Sequence, residues 1–439
     1  MKNNLSRLLL VVLDLVAVFI SIILSFYTRD LISDFVQIPF NKSLSDFYHL
    51  YMLYIAVIGM LFYEGAYTKR FDFWHETKQV IKALFFSLLI VLSYLAITKS
   101  VGDFSRFVIV FIFIYLTILI PIIKFFTKRF LNKIGLWSRE AKIYGEDKFI
   151  ENEIFSNKYL GYCKSNGIKV KTVFINAQTI PSEKLSRIIS EEMKTAKEVI
   201  FIPWIKEYEL SQSFIYELSN TRTNLIQIKN RLKSRYRIVL QSFFNYLLAL
   251  LILPILLPII GILAYIIKKE SPGPVFFAHN RLGQNGKIIP TLKFRSMFSD
   301  ASERLTKLLE EDESIRTEWE KNFKLKDDPR VTKIGNIMRR TSLDELPQIF
   351  NVLKGEMNFI GPRPVIQQEI DQYYQEDAEY YFMVKPGITG LWQVSGRSDT
   401  DYDFRVFTDK WYVTNWSLWL DLVILVKTVK VVLFREGAY

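Results

Sequence analysis

Asp344 and Glu345 stand side by side, with Arg339 and Arg340 just before them and Arg363 shortly after, inside the stretch from Asp328 to Pro364. Adjacent carboxylates framed by guanidinium groups suit chemistry on a phosphate. A carboxylate approaching a phosphate is repelled unless cations cancel the charge, and these arginines, with a metal on Glu345, are the groups that would cancel it. The same residues also spell a structural signal. Ser342 and Glu345 have the spacing of a capping box, with Ser342 as N-cap and Glu345 reaching back to its amide. The two readings are compatible, because a helix starting at Ser342 would aim free N–H groups and a positive dipole end at an incoming diphosphate.

The rest of the chain must hold that segment in place. Of 439 residues half are hydrophobic and 23% are charged, and the mean hydropathy is +0.14. Both classes are abundant because they are segregated along the chain, the composition of an integral membrane protein with a soluble part. The formal charge of +12 fits a basic surface against anionic lipid, and the membrane context sets nucleic acid aside. The single cysteine, Cys163, excludes an internal disulfide framework, and His49, His75 and His279 are too scattered for a zinc cluster. A bound metal must then be held by carboxylates.

Four apolar runs, at about 8–27, 50–66, 83–98 and 107–126, each approach the roughly 20 residues that span a bilayer. The first lacks a small-residue cleavage site and is followed by further spans, so it reads as a retained helix and not a signal peptide. Lys2 and Arg7 precede the bundle, Lys69, Arg70, Lys78 and Lys82 lie around its second loop, and Lys124, Lys128, Arg129 and Lys133 follow its fourth run. The positive-inside rule puts both ends in the cytoplasm. Asp14 within the first run is either a polar contact inside the bundle or a functional group; the contact is the reading adopted.

Residues 1–134 thus form a four-span bundle and 135–232 a doubly wound α/β unit, with strands expected at Lys142–Tyr144, Val170–Ile175, Val199–Pro203 and Leu225–Lys229. Only Gly145 follows the first strand, where a dinucleotide fold needs Gly-x-Gly-x-x-Gly, so a cofactor-free domain is expected. Ile238–Ile267 is nearly uncharged and contains Pro254 and Pro258. A straight helix of that length would run roughly 45 Å, beyond the roughly 30 Å hydrocarbon core, and its flanks are basic on both sides. Either it is a hairpin that enters and leaves by the cytoplasmic face, the reading adopted, or a tilted span with proline kinks. From Ser271 the chain is polar and globular, closing on Trp411–Arg435, too polar to span and suited to the membrane interface.

The C-terminal part resembles the bacterial sugar transferases, which move a hexose-1-phosphate from a UDP-sugar onto a polyprenyl phosphate. Five ordered blocks carry the resemblance over almost all of 235–439: Ser271–Phe277, Lys293-Phe294-Arg295-Ser296-Met297, the Asp344-Glu345 segment, Gly361-Pro362-Arg363-Pro364 and Lys385–Val394. With four spans and an α/β unit in front, the whole chain looks like the long form of the family. The resemblance implies a re-entrant membrane helix broken at Pro258, a cytoplasmic catalytic domain with interfacial helices, and a multi-pass protein of the bacterial inner membrane. It implies Asp344 as nucleophile and Glu345 as Mg2+ ligand, giving an aspartyl phospho-sugar, release of UMP and then transfer to undecaprenyl phosphate. Arg339 and Arg363 match the family's phosphate- and nucleotide-binding arginines, and Lys293, Arg295 and Arg330 join them as substrate-binding candidates. A homodimer is expected. The ending resembles galactose-type members, so UDP-galactose is favoured, with UDP-glucose or a UDP-N-acetylhexosamine as alternatives. Departures are Leu257 in place of a common Ser, Asn245 in place of an acid, and Ala278-His279 in place of a basic residue and Gln.

Two other classes compete. A membrane-anchored nucleotide-sugar dehydratase or epimerase would share the front architecture and finds a Tyr-x-x-x-Lys match at Tyr381 and Lys385, but the glycine fingerprint for its NAD site is missing. A scaffold for polysaccharide assembly would have no use for an intact Asp344-Glu345 pair.

Overall fold

The computed structural model describes residues 2–36, 50–99, 104–165, 170–203, 213–218, 223–228, 235–311, 328–395 and 401–434, with isolated positions 44, 47, 167, 210, 313 and 316 between them. The basic stretch 229–234 and the closing Gly437-Ala438-Tyr439 lie outside the described residues. The chain divides into two compact units, Met1–Ile205 and Lys206–Tyr439.

The first unit begins with the helices α1 (Lys2–Val36), α2 (Tyr51–Tyr63), α3 (Phe73–Ile97) and α4 (Arg106–Lys133). Three of them are long and apolar enough to cross a membrane, whereas α2 has only 13 residues. Helix α3 starts ten residues before its apolar run because Asp72 caps it, accepting the Trp74 amide at 3.1 Å. Leu10, Val18 and Ile22 of α1, Val80 and Val91 of α3, and Ile112 and Leu116 of α4 share one core. Within it Asp14 is fully buried, 3.0 Å from Lys124 Nζ, and accepts the Tyr67 hydroxyl at 2.7 Å. Glu76 pairs with Lys128, lies 3.7 Å from Lys124 and accepts the Tyr159 hydroxyl at 2.7 Å. Asp14 is therefore a contact within the bundle.

In the same unit β1 (Arg139–Tyr144), α5 (Lys148–Phe155), β2 (Tyr162–Lys164), β3 (Thr172–Asn176), α6 (Ser182–Glu192) and β4 (Glu198–Ile202) build a four-stranded sheet in the order β2-β1-β3-β4, parallel at every pairing. Short apolar strands joined through helices are the pattern that gives parallel pairing. Gly145 after β1 has φ +93, and a Cβ there would lie 2.8 Å from the Asn176 carbonyl oxygen, so the backbone itself requires the glycine. The fourth expected strand does not join this sheet. It is β6 (Thr223–Gln227), paired antiparallel with β5 (Phe214–Leu218) in the second unit. Four residues separate the two, enough for a hairpin and far too few for a parallel crossover, so the α/β sheet ends before 205 and not at 232.

In the second unit α7 (Arg235–Glu270) is one helical element of 36 residues with Pro254 and Pro258 inside it. Its weak point is still readable: Pro258 has no amide to reach the carbonyl of Pro254, four residues back. Val239, Leu250, Leu251, Ile255, Ile262 and Tyr265 are each more than half exposed, while Ala249, Ile260, Leu263 and Ile267 pack into a hydrophobic core of this unit. That core is shared by β8 (Ile288–Phe294), which pairs antiparallel with β7 (Phe276–Leu282) in a hairpin, and, after α8 (Ala301–Glu311), by α9 (Lys333–Thr341) and α10 (Gln348–Leu353). Beyond it β9 (Asn358–Ile360) pairs in parallel with β10 (Gly387–Thr389), and α11 (Ala378–Phe382), α12 (Tyr402–Thr414) and α13 (Leu418–Phe434) close the fold. A Cβ on Gly387 would sit 2.1 Å from the Gly361 nitrogen. The glycines of these two blocks thus serve a backbone-to-backbone approach that admits no side chain.

Candidate functional site

Helix α9 carries the approach to the carboxylate pair, and its start is fixed from outside. Thr332 caps it by accepting the Gly335 amide at 2.9 Å, and the carboxylate of Glu270 at the end of α7 accepts the Lys333 and Ile334 amides at 2.7 and 3.1 Å. Its end is abrupt. Ser342 takes the left-handed conformation, φ +57, and Leu343–Glu345 follow as one 3-10 turn. The expected capping box does not form: Ser342 terminates a helix where it was to start one, its side chain caps nothing, and Glu345 turns away toward β8. The next helix, α10, begins only at Gln348. A positive-φ residue without a glycine, two positions before Asp344, is a strained bend of the kind that aims functional groups.

Lys293, from the end of β8, meets the pair. Its Nζ donates to Glu345 Oε1 at 2.6 Å and lies 3.7 Å from Asp344 Oδ2, and Arg363 approaches the same Glu345 oxygen at 3.9 Å. Burial, helped by the adjacent Glu345 charge, pushes the Asp344 carboxyl above its ordinary range against the pull of Lys293 and Arg339. Burial acts on Glu345 in the same sense, but Lys293 and Arg363 outweigh it and hold that carboxyl below its ordinary range. Neighbouring carboxyls driven in opposite directions are suited to different tasks.

The other candidates are engaged differently. Arg339 donates to Ser296 Oγ at 2.9 Å and remains exposed. Arg295 is buried and donates to the carbonyls of Ser271 and Pro272, at 2.5 and 2.9 Å, which clamps the exit of α7 onto β8. Arg330 grips Asp328 with two parallel bonds of 2.7 and 2.6 Å. Lys293 and Arg363 therefore come to the pair directly, whereas the guanidinium groups of Arg295 and Arg330 hold backbone and carboxylate elsewhere. Pro258 lies within α7.

One residue of the site escaped the sequence reading. Asn351 is fully buried. Its Oδ1 accepts the Leu292 amide at 3.0 Å, and its Nδ2 donates to the Pro290 carbonyl at 2.8 Å and to Glu356 at 2.6 Å. This amide fastens α10, which follows the carboxylates, to β8 at the peptide just before Lys293. Its signal was an amide side chain inside the apolar turn Ile349–Leu353, a position that pattern reading passes over.

Among the described residues no group of three or more His, Cys, Asp or Glu gathers as a metal site. The pair nevertheless fits Mg2+, which binds one or two carboxylates and completes its shell with water and substrate phosphate oxygens. Glu345 is the carboxyl held below its ordinary range, and an ammonium, that of Lys293, already lies against its oxygen.

A family model described as "Bacterial sugar transferase" matches residues 236–435. The chain is 37% identical to "Undecaprenyl-phosphate galactose phosphotransferase" of Salmonella typhimurium over 85% of its own length and 84% of that protein. It is 34% identical to "UDP-galactose-lipid carrier transferase" of Erwinia amylovora, again over 85% and 84%. With "Exopolysaccharide production protein ExoY" of Sinorhizobium fredii it shares 43% identity over 45% of this chain and 86% of the other.

Proposed function

The chain belongs to the bacterial sugar transferase family, and on that premise we propose that it transfers a hexose-1-phosphate, preferably galactose-1-phosphate, from a UDP-sugar to undecaprenyl phosphate. This would be a membrane-bound step of surface polysaccharide synthesis. Asp344 attacks the β-phosphorus of the UDP-sugar; a phosphorus–oxygen bond forms to the carboxylate as the bond to UMP breaks. An oxygen of the polyprenyl phosphate then attacks the same phosphorus, and Asp344 leaves as carboxylate with the sugar phosphate on the lipid. Lys293 and Arg363 counter the phosphate charge during both displacements, and Arg339 holds an exposed guanidinium on the same side. When bound, Mg2+ on Glu345 would supply charge neutralisation for the diphosphate and the departing UMP.

The observation that carries this reading is the single ammonium of Lys293 shared by two carboxyls of opposite tendency. Membrane entry and exit on one side is part of it. Near the start of α7, Asn245 Oδ1 accepts the Phe359 amide at 2.7 Å, and at its end Glu270 binds α9. Both ties reach the same catalytic unit, although the two residues are about 38 Å apart along a helix, which supports a helix bent at Pro258 that returns to the cytoplasmic face.

The test is UMP release by purified full-length protein, followed by recovery of the phospho-sugar on undecaprenyl phosphate, across UDP-galactose, UDP-glucose and UDP-N-acetylhexosamines. UDP-galactose is expected to be the best donor, and trapping with radiolabelled donor alone should put the sugar phosphate on Asp344. Release of UDP in place of UMP would exclude the mechanism; a higher efficiency with another donor would change the sugar alone.

A further inference from the structure

Two buried polar atoms without hydrogen-bond partners sit on opposite residues of the strand pair that carries Lys293. In the β7–β8 ladder Phe277 stands opposite Lys293, and His279 stands opposite Thr291. Cross-strand partners share a face, as do residues two apart along a strand, so His279 and Thr291 occupy the face of Lys293, one pair further along. Thr291 is 3% exposed, yet its Oγ1 makes no hydrogen bond, and neither does the buried Nδ1 of His279. One unsatisfied buried group costs about 1–3 kcal/mol, and two in register call for an occupant. The next residue on this face, Arg281, is taken: it pairs with Glu369 at 3.1 Å, and Glu369 also accepts the Tyr402 hydroxyl at 2.5 Å and the Ile366 amide at 2.9 Å.

The chemistry of the two atoms narrows the occupant. Burial, then the charges of Arg281 and Lys293, push the His279 imidazole below its usual range, so it is neutral at pH 7 and keeps one donor and one acceptor nitrogen. A neutral imidazole beside a hydroxyl matches a hydroxyl-bearing group and not a phosphate, whose charge is met by Lys293 and Arg363. The pair lies about 7 Å along the strand from Lys293, and the group bonded directly to the phosphorus that Asp344 attacks is the hexose.

We propose that His279 and Thr291 form the hexosyl-recognition subsite, hydrogen-bonding a hydroxyl of the sugar on the nucleotide donor. This rests on the transferase reading above. The donor's diphosphate draws Lys293 off Glu345 and opens the face to the sugar. Because epimeric hexoses differ in the direction of one hydroxyl, a fixed pair of neutral partners can tell them apart.

The experiment uses full-length protein in detergent, the isosteric variant Thr291→Val, UDP-galactose and UDP-glucose as donors, and UMP as inhibitor. Wild-type UMP release establishes the activity first; its absence with every UDP-hexose would overturn the transferase reading and this inference together. In the variant kcat/KM for the better donor should fall about tenfold, the ratio between the two donors should move toward one, inhibition by UMP should stay unchanged, and the unfolding midpoint should not fall. His279→Leu should act in the same way and decides the matter if Thr291→Val does not fold. An unchanged donor ratio overturns the subsite, as does a parallel loss of UMP inhibition, which would move the contact to the ribose. A fall in midpoint with equal losses for both donors would make the hydroxyl a structural one and likewise overturns it.

Discussion

Each of the two units holds a cluster of carboxylates and lysines, and the clusters are built to opposite ends. In the bundle, Asp14 and Glu76 face Lys124 and Lys128 with Tyr67 and Tyr159 as further donors, and none of the four charged side chains is more than 1% exposed. Acids and bases balance and water is shut out, although Asp14 Oδ1, Glu76 Oε1 and Lys124 Nζ are left with ion-pair partners and no hydrogen bond. In the catalytic unit, Asp344 and Glu345 share one lysine in contact, keep 14% and 21% of their side chains open, and have the half-exposed Arg363 beside them at 3.9 Å. A closed and balanced network can only fix packing, because every charge removed from water must be matched within the protein. An open and strained pair retains capacity for a ligand that brings its own charge. An ionisable residue in a membrane helix is by default a functional suspect, and here balance and closure are what reassign it to structure.

Breaking the comparison at its strongest point means removing the proposed nucleophile. Asp344→Asn should lower UMP release by about a thousandfold or more while the protein still inserts and unfolds at the wild-type midpoint. Residual activity near wild type would take Asp344 out of the role. The counterpart in the bundle should behave in the reverse manner: Glu76→Gln leaves Lys128 buried and unmatched, a loss of about 3–5 kcal/mol. It should appear as poor yield and a lowered unfolding midpoint, with normal UMP release per folded molecule.

Lys293→Met separates the charge from the carboxylates it serves. Lys293 pulls both carboxyls down. Without it both rise, and since the proposed attack requires Asp344 as carboxylate, the acid limb of the pH–rate profile should move to higher pH, with about a hundredfold loss at neutrality. An acid limb that stays in place would show that Lys293 acts on substrate alone. Asn351→Ala should cost less, about tenfold in kcat with KM little changed, because Lys293 is retained but β8 is no longer pinned beside it; Asn351→Gln should not rescue, since the longer amide cannot reach Leu292 and Pro290 together. The smallest effect belongs to the bend. Ser342→Gly should raise stability by about 1 kcal/mol with activity kept, and Ser342→Val should lower it.

Much of this was legible along the chain because it depends on neighbours. The apolar runs give three long membrane helices, alternating apolar strands give three of the four parallel ones, and the adjacency of Asp344 and Glu345 with their arginine frame marks the site. Where local signals support two structures, the sequence reading went astray. Ser342-x-x-Glu345 fits a capping box as well as it fits the end of α9. The Glu270 clamp at 2.7 and 3.1 Å fixes where α9 starts, and Lys293 draws Glu345 away from the N-cap it was to serve. The strand at Thr223–Gln227 was sound in type and wrong in partner, since the neighbouring Phe214–Leu218 was overlooked.

The sequence by itself determined which residue types are available and in what local order: membrane helices by length and hydropathy, an acidic pair framed by arginines by adjacency, the family by five ordered blocks. Only the tertiary structure decided which cation serves that pair. Lys293 is 52 residues from Glu345 in sequence and reaches it at 2.6 Å because Asn351 holds β8 against α10. Arg295 and Arg330, equally basic and nearer in sequence, are directed to carbonyls and to Asp328. Charge type is a property of the residue, but the partner of a charge is set by where distant segments cross, and no local pattern encodes that crossing.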